Sequence, residues 1–291
     1  MLKVCAFKGD DSEFIEAAGA VSDAYTLQRI PFASSMNAAQ ALAAGAIDAA
    51  AFSSITPVFM PPGAPIRQVA YYRLGSFIYK VLVPPGSPIQ RLAQLKGARV
   101  GYMRAGPLHL LLLNLLDKAG LRANDVQAIA LTAQDATSAF VSGHLDVLLA
   151  GMYSTCFQAE KAGGTAIATG RELPGFDGRN GSVVAVHEKV LADPAKTAAL
   201  RQYLAQLQKV WRWIDAAPGP WSERIARITG ATPDYVLRNR TREPGTHFLP
   251  PAQGMARQQA IADVFARAGV IRAGATVAPL WEPSFSLPAA S

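Results

Sequence analysis

A chain of 291 residues, half of them hydrophobic, can bury a large core and exceeds the usual single-domain size, so two lobes are expected. Charged residues at 17% and aromatics at 8% exclude long disordered stretches. The excess of 28 Lys and Arg over 21 Asp and Glu, a net +7, suits acidic ligands, yet the basic residues are dispersed and no nucleic-acid partner is expected.

The start, "MLKVCAFKGDDSEF", lacks the basic segment, apolar core and cleavage site of a secretory leader, and no run of about 18 apolar residues marks a membrane span. Two locations stay open: the cytoplasm if Met1 is the true start, or an extracytoplasmic space after removal of an upstream leader. In chain order, "LKVCAF" reads as a strand, with Cys5 a buried thiol, followed by the turn "KGDD" and a short helix in "SEFIEAAGAV". "YTLQRIPF" reads as a strand, "NAAQALAAG" as an Ala-rich helix and "IDAAAF" as a strand ending in "SSITP". "IRQVAYYRL" and "FIYKVLVPP" are β-rich. "ARVGYM", "VQAIAL", "LDVLLA" and "GTAIAT" are strands separated by helical segments of about 10 to 15 residues. Such alternation predicts parallel-type sheets with helices on both faces, the α/β class.

Beyond residue 188 the character changes. "DPAKTAALRQYLAQLQKVWRWIDAAP", "WSERIARITG", "TPDYVLRNR" and "AQGMARQQAIADVFARAGVI" have helical periodicity with Pro, Thr or Asp near several starts. Trp211, Trp213 and Trp221 read as helix packing, Arg238, Arg240 and Arg242 as a solvated face, and "APLWEPSFSLPAAS" as an irregular tail. Cys5 and Cys156 form no C-x-x-C pair, and His109, His144, His187 and His247 lack ligand spacing, so neither a metal nor another cofactor is expected.

The segment "SPIQRLAQLKGARVGYMRAGPLHLLLLNLLDKAGL", then "VQAIALTAQDATSAFVSGHLDVLLAG" and "GGTAIATGREL", resembles the extracytoplasmic solute-binding proteins of ABC importers for aliphatic sulfonates, taurine and nitrate. "ALAAGAIDAAAFSSITPVFM" followed by "GAPIRQVA" is similar to that family's first-lobe segment. The resemblance implies a two-lobe, type II periplasmic binding protein-like fold with two crossover strands. Lobe one would be residues 1–80 with 188–291, lobe two 84–184, and the hinge crossings would lie near 79–84 and 182–188. It further implies a small organic anion as ligand, an ABC permease as partner and a monomeric protein that closes on its ligand.

In an open α/β sheet the cleft is built from turns at the carboxyl ends of strands. "FKGDD" supplies Lys8, Gly9 and Asp10, "FSSITP" supplies Ser53, Ser54 and Thr56, "MRAGPLH" supplies Arg104, Gly106 and His109, and "GMYST" supplies Tyr153 and Ser154. "GRNGS" adds Asn180 and Ser182. Each has a structural alternative. Ser53, Ser54 and Thr56 can simply cap a helix, Asp10 can form a turn, Arg104 can be a surface residue and His109 can be held by packing. Gly106 with Pro107 suits a helix start as well as an anion cradle at a helix N-terminus.

Departures from the family pattern bear on the ligand. "GMYS" stands where members often have Trp-Asp-Pro-Tyr, and Ala105, Gly106 and Pro107 replace the hydroxyl-bearing residues before Ala-His. Pro107 also has no N–H to donate. A ligand larger and less polar than taurine, an aromatic sulfonate or carboxylate, is therefore expected. The rival is a cytoplasmic enzyme on the same fold, similar to desulfinases or pyrimidine-precursor synthases, with Cys5, Asp10 and His109 as the residues to test. No obvious catalytic set supports it.

Overall fold

The computed structural model of the chain describes residues 1–72, 79–172, 181–240 and 245–287. The chain opens with β1 (Leu2–Ala6), β2 (Leu27–Pro31), α1 (Ser35–Ala43), β3 (Ala49–Ser53) and β4 (Ile66–Tyr72). After a first crossing come β5 (Lys80–Val83), β6 (Arg99–Tyr102), α2 (Pro107–Ala119), β7 (Gln127–Ala130), α3 (Ala133–Val141), β8 (Val147–Ala150), α4 (Tyr153–Lys161) and β9 (Thr165–Thr169). A second crossing leads to β10 (Ser182–His187), α5 (Glu188–Ala192), α6 (Pro194–Ala216), α7 (Pro218–Thr229), α8 (Pro233–Arg238), β11 (Phe248–Leu249) and α9 (Pro251–Arg267).

Among the described residues these strands form a six-stranded sheet, ordered β11-β4-β10-β3-β1-β2, and a five-stranded sheet, ordered β7-β6-β8-β5-β9. Each sheet has a parallel core, β2-β1-β3 and β7-β6-β8, as the strand-helix alternation predicts. The strands that adjoin the crossings, β10 and β5, insert antiparallel to their neighbours. These two strands are buried along their whole length, which explains why "SVVAVH" and "KVLV" read as continuous rather than alternating apolar runs.

Helix boundaries follow the capping chemistry. Ser34, Thr132, Asp193 and Thr232 each accept a backbone N–H in the first turn of α1, α3, α6 and α8. Gly120 and Gly230 end α2 and α7 in left-handed conformation. The short helix expected in "SEFIEAAGAV" shrinks to a single 3-10 turn, Asp11–Phe14. Gly19, at φ 59°, reverses the chain before enough turns accumulate to offset helix nucleation.

The helical tail ties the two sheets together. α6 lays Leu200, Tyr203, Leu207 and Trp211 on the first sheet. Tyr235 of α8 joins the cluster of Leu82, Phe140 and Leu148 in the second, and Ile261 and Phe265 of α9 join that of Val100, Leu111 and Val147. Trp211 is fully buried against Tyr72 and Phe248, and Trp213 stacks on Phe14, so both tryptophans are packing residues. The final segment is irregular in secondary structure but docked. Trp281 bridges to Gln68 of β4 and is buried together with Phe285, because large rings gain more from burial than a free tail gains in entropy.

Register decides where the strand ends meet. Ser182, the first residue of β10, lies opposite both Ser53 at the end of β3 and Tyr72 at the end of β4. Lys80, the first residue of β5, lies opposite both Ala150 at the end of β8 and Thr169 at the end of β9. The crossings join Tyr72 to Lys80 and Thr169 to Ser182. Each sheet therefore turns the carboxyl ends of its parallel strands toward the crossings.

Candidate functional site

At the end of β1 the turn is closed on itself. Gly9, at φ 82°, donates its N–H to Glu13 Oε2 at 2.7 Å. The Asp10 carboxylate accepts from the Phe7 N–H at 2.6 Å, the Ser12 hydroxyl at 2.6 Å and the Glu13 N–H at 3.2 Å, with the Arg29 guanidinium 3.8 Å away. Burial pushes the Asp10 carboxyl up to about 6, and the hydrogen bonds and Arg29 oppose that rise. Lys8 is exposed. Asp11 accepts the indole N–H of Trp211 at 2.7 Å, which anchors α6 to this turn.

The turn after β3 is different. Ser53 Oγ accepts the Ile55 N–H at 3.3 Å, a local turn bond. Ser54 and Thr56 are both fully buried, and neither hydroxyl has a hydrogen-bond partner among the described residues. The main chain around them is fixed, since the Ser54 N–H donates to Gly181 O at 3.0 Å and Ser54 O accepts from Gln258 Nε2 at 2.7 Å. Ser182 is buried directly opposite Ser53, so the two side chains share one face of the sheet. Asn180 lies outside the described residues.

From the second sheet comes the turn between β6 and α2. Ala105 has φ 57°, the one non-glycine residue with positive φ among those described, so the chain stores strain here. Gly106 caps α2 with extended backbone and no side-chain acceptor, and Pro107 takes the first helical position. His109 is 5% exposed, with ring centroids of Phe265, Tyr102 and Phe59 at 5.1, 5.2 and 6.2 Å. Its Nδ1 accepts the Ala105 N–H at 3.4 Å, which puts the proton of the neutral ring on Nε2. Burial, helped by the positive charge of Arg104, pushes His109 down to about 4, so it is uncharged at neutral pH. Arg104 itself is exposed.

Phe59 belongs to the 3-10 turn Thr56–Phe59 that begins with the orphaned threonine. Its contact with His109 brings two of the expected turns, one from each sheet, to the same place. Tyr153 opens α4 and sets its ring edge-on to Trp221 of α7, 6.2 Å away, which links the second sheet to the helical tail. Gly151, just before it, admits no side chain, because a Cβ there would stand 2.7 Å from the Tyr79 ring. The basic cluster of the tail is only partly a solvated face. Arg238 pairs with Asp234 at the surface, but Arg240 is half-buried over the Trp221 ring and bonded to Asp215 at 2.9 Å. Arg242 lies outside the described residues.

Sequence reasoning missed Phe59 and Phe265, and it missed Gln258. A signal for Gln258 exists, since Met255, Gln258, Ile261 and Phe265 recur at three- and four-residue spacing. A glutamine in an apolar stripe marks a polar core position that needs partners. It also missed the group of Lys80, Glu160 and Tyr235, in which Lys80 Nζ pairs with Glu160 Oε1 at 2.6 Å and the Tyr235 hydroxyl donates to Glu160 Oε2. Those residues are far apart in sequence and no local pattern connects them.

Chemically, the site offers hydroxyl donors, a neutral imidazole and an aromatic lining. Both thiols are poor nucleophiles. Cys5 and Cys156 are buried, and desolvation pushes each up to about 12. Among the described residues no three His, Cys, Asp or Glu side chains gather as a metal site, and no helix is long and apolar enough to cross a membrane.

Comparison with known proteins agrees with this architecture. Over 108 residues the chain is 34% identical to an aliphatic sulfonates-binding protein of Escherichia coli K12, a match spanning 37% of this chain and 34% of that relative's length. In structure it is similar to the alkanesulfonate-binding protein SsuA from Xanthomonas axonopodis pv. citri bound to MOPS. That likeness has a TM-score of 0.84 at 22% identity and covers 97% of both chains. The periplasmic aliphatic sulphonate binding protein SsuA from Escherichia coli gives 0.83 at 22% identity, covering 99% of this chain and 94% of that one. The desulfurization enzyme DszB is more distant, at 0.64 and 13% identity over 98% of both chains. Residues 27–218 match the model of the NMT1/THI5-like family, and the chain belongs to that family.

Proposed function

We propose that the chain is the solute-binding component of an ABC importer, and that it captures a small organic anion of the sulfonate class between the facing edges of its two sheets. The observation that carries this reading is the pair of buried hydroxyls, Ser54 Oγ and Thr56 Oγ1, without partners among the described residues, in the turn that meets His109 through Phe59. An unpaired buried hydroxyl costs about 1–3 kcal/mol, and a sulfonate, with three acceptor oxygens, would take both as donors. Family membership and the likeness to sulfonate-binding proteins support the same class. Arg104 supplies the positive charge at the rim, and Gly106, Tyr153 and Ser182 complete the wall.

The rings of Phe59, Tyr102 and Phe265, and the absence of hydroxyl residues between Arg104 and Leu108, favour an aryl sulfonate or aromatic carboxylate over taurine. The first sheet, β1–β4 with β10 and β11, would form one lobe and the second sheet, β5–β9, the other, with closure by hinge motion at the crossings that precede β5 and β10. An ABC permease as partner, a monomeric state and an extracytoplasmic location belong to this reading. Catalysis on the same fold is the competing reading. It lacks a poised nucleophile, because both thiols are buried and raised.

The test is a thermal-shift screen of the purified chain against alkyl and aryl sulfonates, sulfinates, carboxylates, nitrate and sulfate, with mass spectrometry of each incubated compound. A ligand at 100 times its Kd should stabilise the fold by about 2.7 kcal/mol. Stabilisation by sulfonates that emerge unchanged supports the binder. Consumption of a stabilising compound, or tighter binding of taurine than of arylsulfonates, overturns respectively the transport reading and the aromatic preference.

A further inference from the structure

We infer that Gln258, on α9, is a positioning residue that sets the orientation of the Ser54–Thr56 turn and through it the affinity for ligand; the inference rests on the binding reading above. Gln258 is fully buried and every hydrogen-bonding position of its side-chain amide is used. Nε2 donates to Ser54 O at 2.7 Å and to Gln68 Oε1 at 2.8 Å, while Oε1 accepts from Gln68 Nε2 at 2.9 Å and from Trp281 Nε1 at 2.7 Å. An amide has two donors and two acceptor sites, so this one is saturated.

The saturation also removes an ambiguity. Two facing amides such as Gln68 and Gln258 can exchange both of their hydrogen bonds in either of two orientations. Trp281 and Ser54 O settle the orientation together, because an indole N–H can only donate and so requires Gln258 Oε1 on its side, while a carbonyl can only accept and so requires Nε2. The opposite end then has to be Nε2, and Nε2 has to find an acceptor, which Ser54 O provides. A docked tryptophan in the last irregular segment thus reinforces how a carbonyl at the end of β3 is held.

Once Ser54 O is held from below and Ser54 N–H is tied to Gly181 O, the peptide planes around Ser54 cannot rotate freely. The hydroxyls of Ser54 and Thr56 are then presented in one arrangement, without partners of their own among the described residues. Gly254, one turn before Gln258, makes this contact possible. A Cβ at 254 would stand 2.6 Å from both Trp281 and Tyr71, so only glycine lets α9 approach β4 closely enough for the amide to reach. The same helix carries Phe265 onto the His109 ring 5.1 Å away. α9 therefore aligns both sides of the candidate site.

The experiment compares Kd, by calorimetric titration with benzenesulfonate and with MOPS, and Tm for wild type, Gln258→Met, Gln258→Leu, Gln68→Met and the double variant Ser54→Ala with Thr56→Val. Gln68→Met breaks the amide pair but leaves Gln258 bonded to Ser54 O and Trp281, whereas Gln258→Met releases Ser54 O. Both place a methionine in the same core and lower Tm. The expected result is a loss of affinity of about tenfold in Gln258→Met beyond that in Gln68→Met, with similar falls in Tm. Should Gln258→Met fail to fold, Gln258→Leu replaces it. It too leaves Ser54 O without its donor, and affinity should fall about threefold or more relative to Gln68→Met. Equal Kd values for the two methionine variants, or for Gln258→Leu and Gln68→Met when the leucine variant is the substitute, overturn the positioning role, provided the Ser54/Thr56 double variant binds more weakly than wild type. If that double variant binds as wild type does, or wild type binds neither probe, the binding reading itself fails and the inference with it.

Discussion

The turns that follow β1 and β3 occupy equivalent positions, at the carboxyl ends of adjacent parallel strands, yet they spend their polar groups in opposite ways. After β1, Asp10 collects three hydrogen bonds and Gly9 a fourth, all from within the same few residues. After β3, Ser54 and Thr56 are buried as deeply as any core residue and their hydroxyls have no partner among the described residues. A carboxylate beside consecutive backbone N–H groups completes a turn without outside help. A hydroxyl on a buried turn that is held only by its main chain stays available. The first turn is therefore expected to govern stability and the second to govern affinity.

The sharpest way to break this contrast is to exchange the expected effects. Asp10→Ala removes a helix cap and the partner of several buried donors, so it should lower stability by about 2–4 kcal/mol in urea unfolding. Its effect on sulfonate affinity in the protein that remains folded should be small. A large loss of affinity with little loss of stability would move Asp10 into the binding site. Next in size, Ser54→Ala with Thr56→Val should weaken sulfonate binding by about tenfold or more while leaving Tm unchanged or raised, because unpaired buried hydroxyls are themselves destabilising. A fall in Tm with unchanged Kd would make these residues purely structural.

The contrast also explains what could be read from the chain itself. Strand-helix alternation is written in the periodicity of "ARVGYM" and "NAAQALAAG", and the caps Thr132, Asp193 and Thr232 are where their residue types predict them. The site was legible only as a set of turns, since any turn at a strand end qualifies on sequence grounds. How the Ser54 carbonyl is held depends on Gln258, more than 200 residues away, and whether His109 is charged depends on its burial among Phe59, Tyr102 and Phe265 and on Arg104. Local pattern carries none of this. The packing of α8 and α9 against the second sheet is likewise a property of three dimensions, as is the burial of Arg240 over Trp221.

Titration offers a further test, in which the first-sheet and second-sheet turns act with opposite sign. His109 is held down to about 4 in the folded state against 6.5 ordinarily, so the unfolded chain takes up its proton first as pH falls. Its contribution to stability is complete above about 6.5 and is lost as pH falls toward 4. Asp10 is raised to about 6 from 3.8, so the folded state holds its proton more tightly. That contribution is complete below 3.8 and is lost as pH rises through 6. The two slopes oppose each other between pH 4 and 6, so these two contributions largely cancel there in wild type. Relative to wild type, His109→Gln should lose stability as pH rises across this window, and Asp10→Asn should gain it. Identical profiles for the two variants would contradict the assigned environments.

The smallest effect is expected at the rim. Arg104 is exposed, so its long side chain is screened by water and contributes little to folding. Arg104→Ala should leave Tm within experimental scatter. If the guanidinium draws an anion toward the turn where Ala105 is strained and Gly106 opens α2, affinity should fall about two- to fivefold at low salt. The loss should shrink as ionic strength rises, because an exposed charge acts over a screened distance whereas the buried hydroxyls do not. A salt-independent loss would instead require a direct, desolvated contact between Arg104 and the ligand, which would bring the rim arginine inward on closure and make the second-sheet turn an equal partner of Ser54 and Thr56.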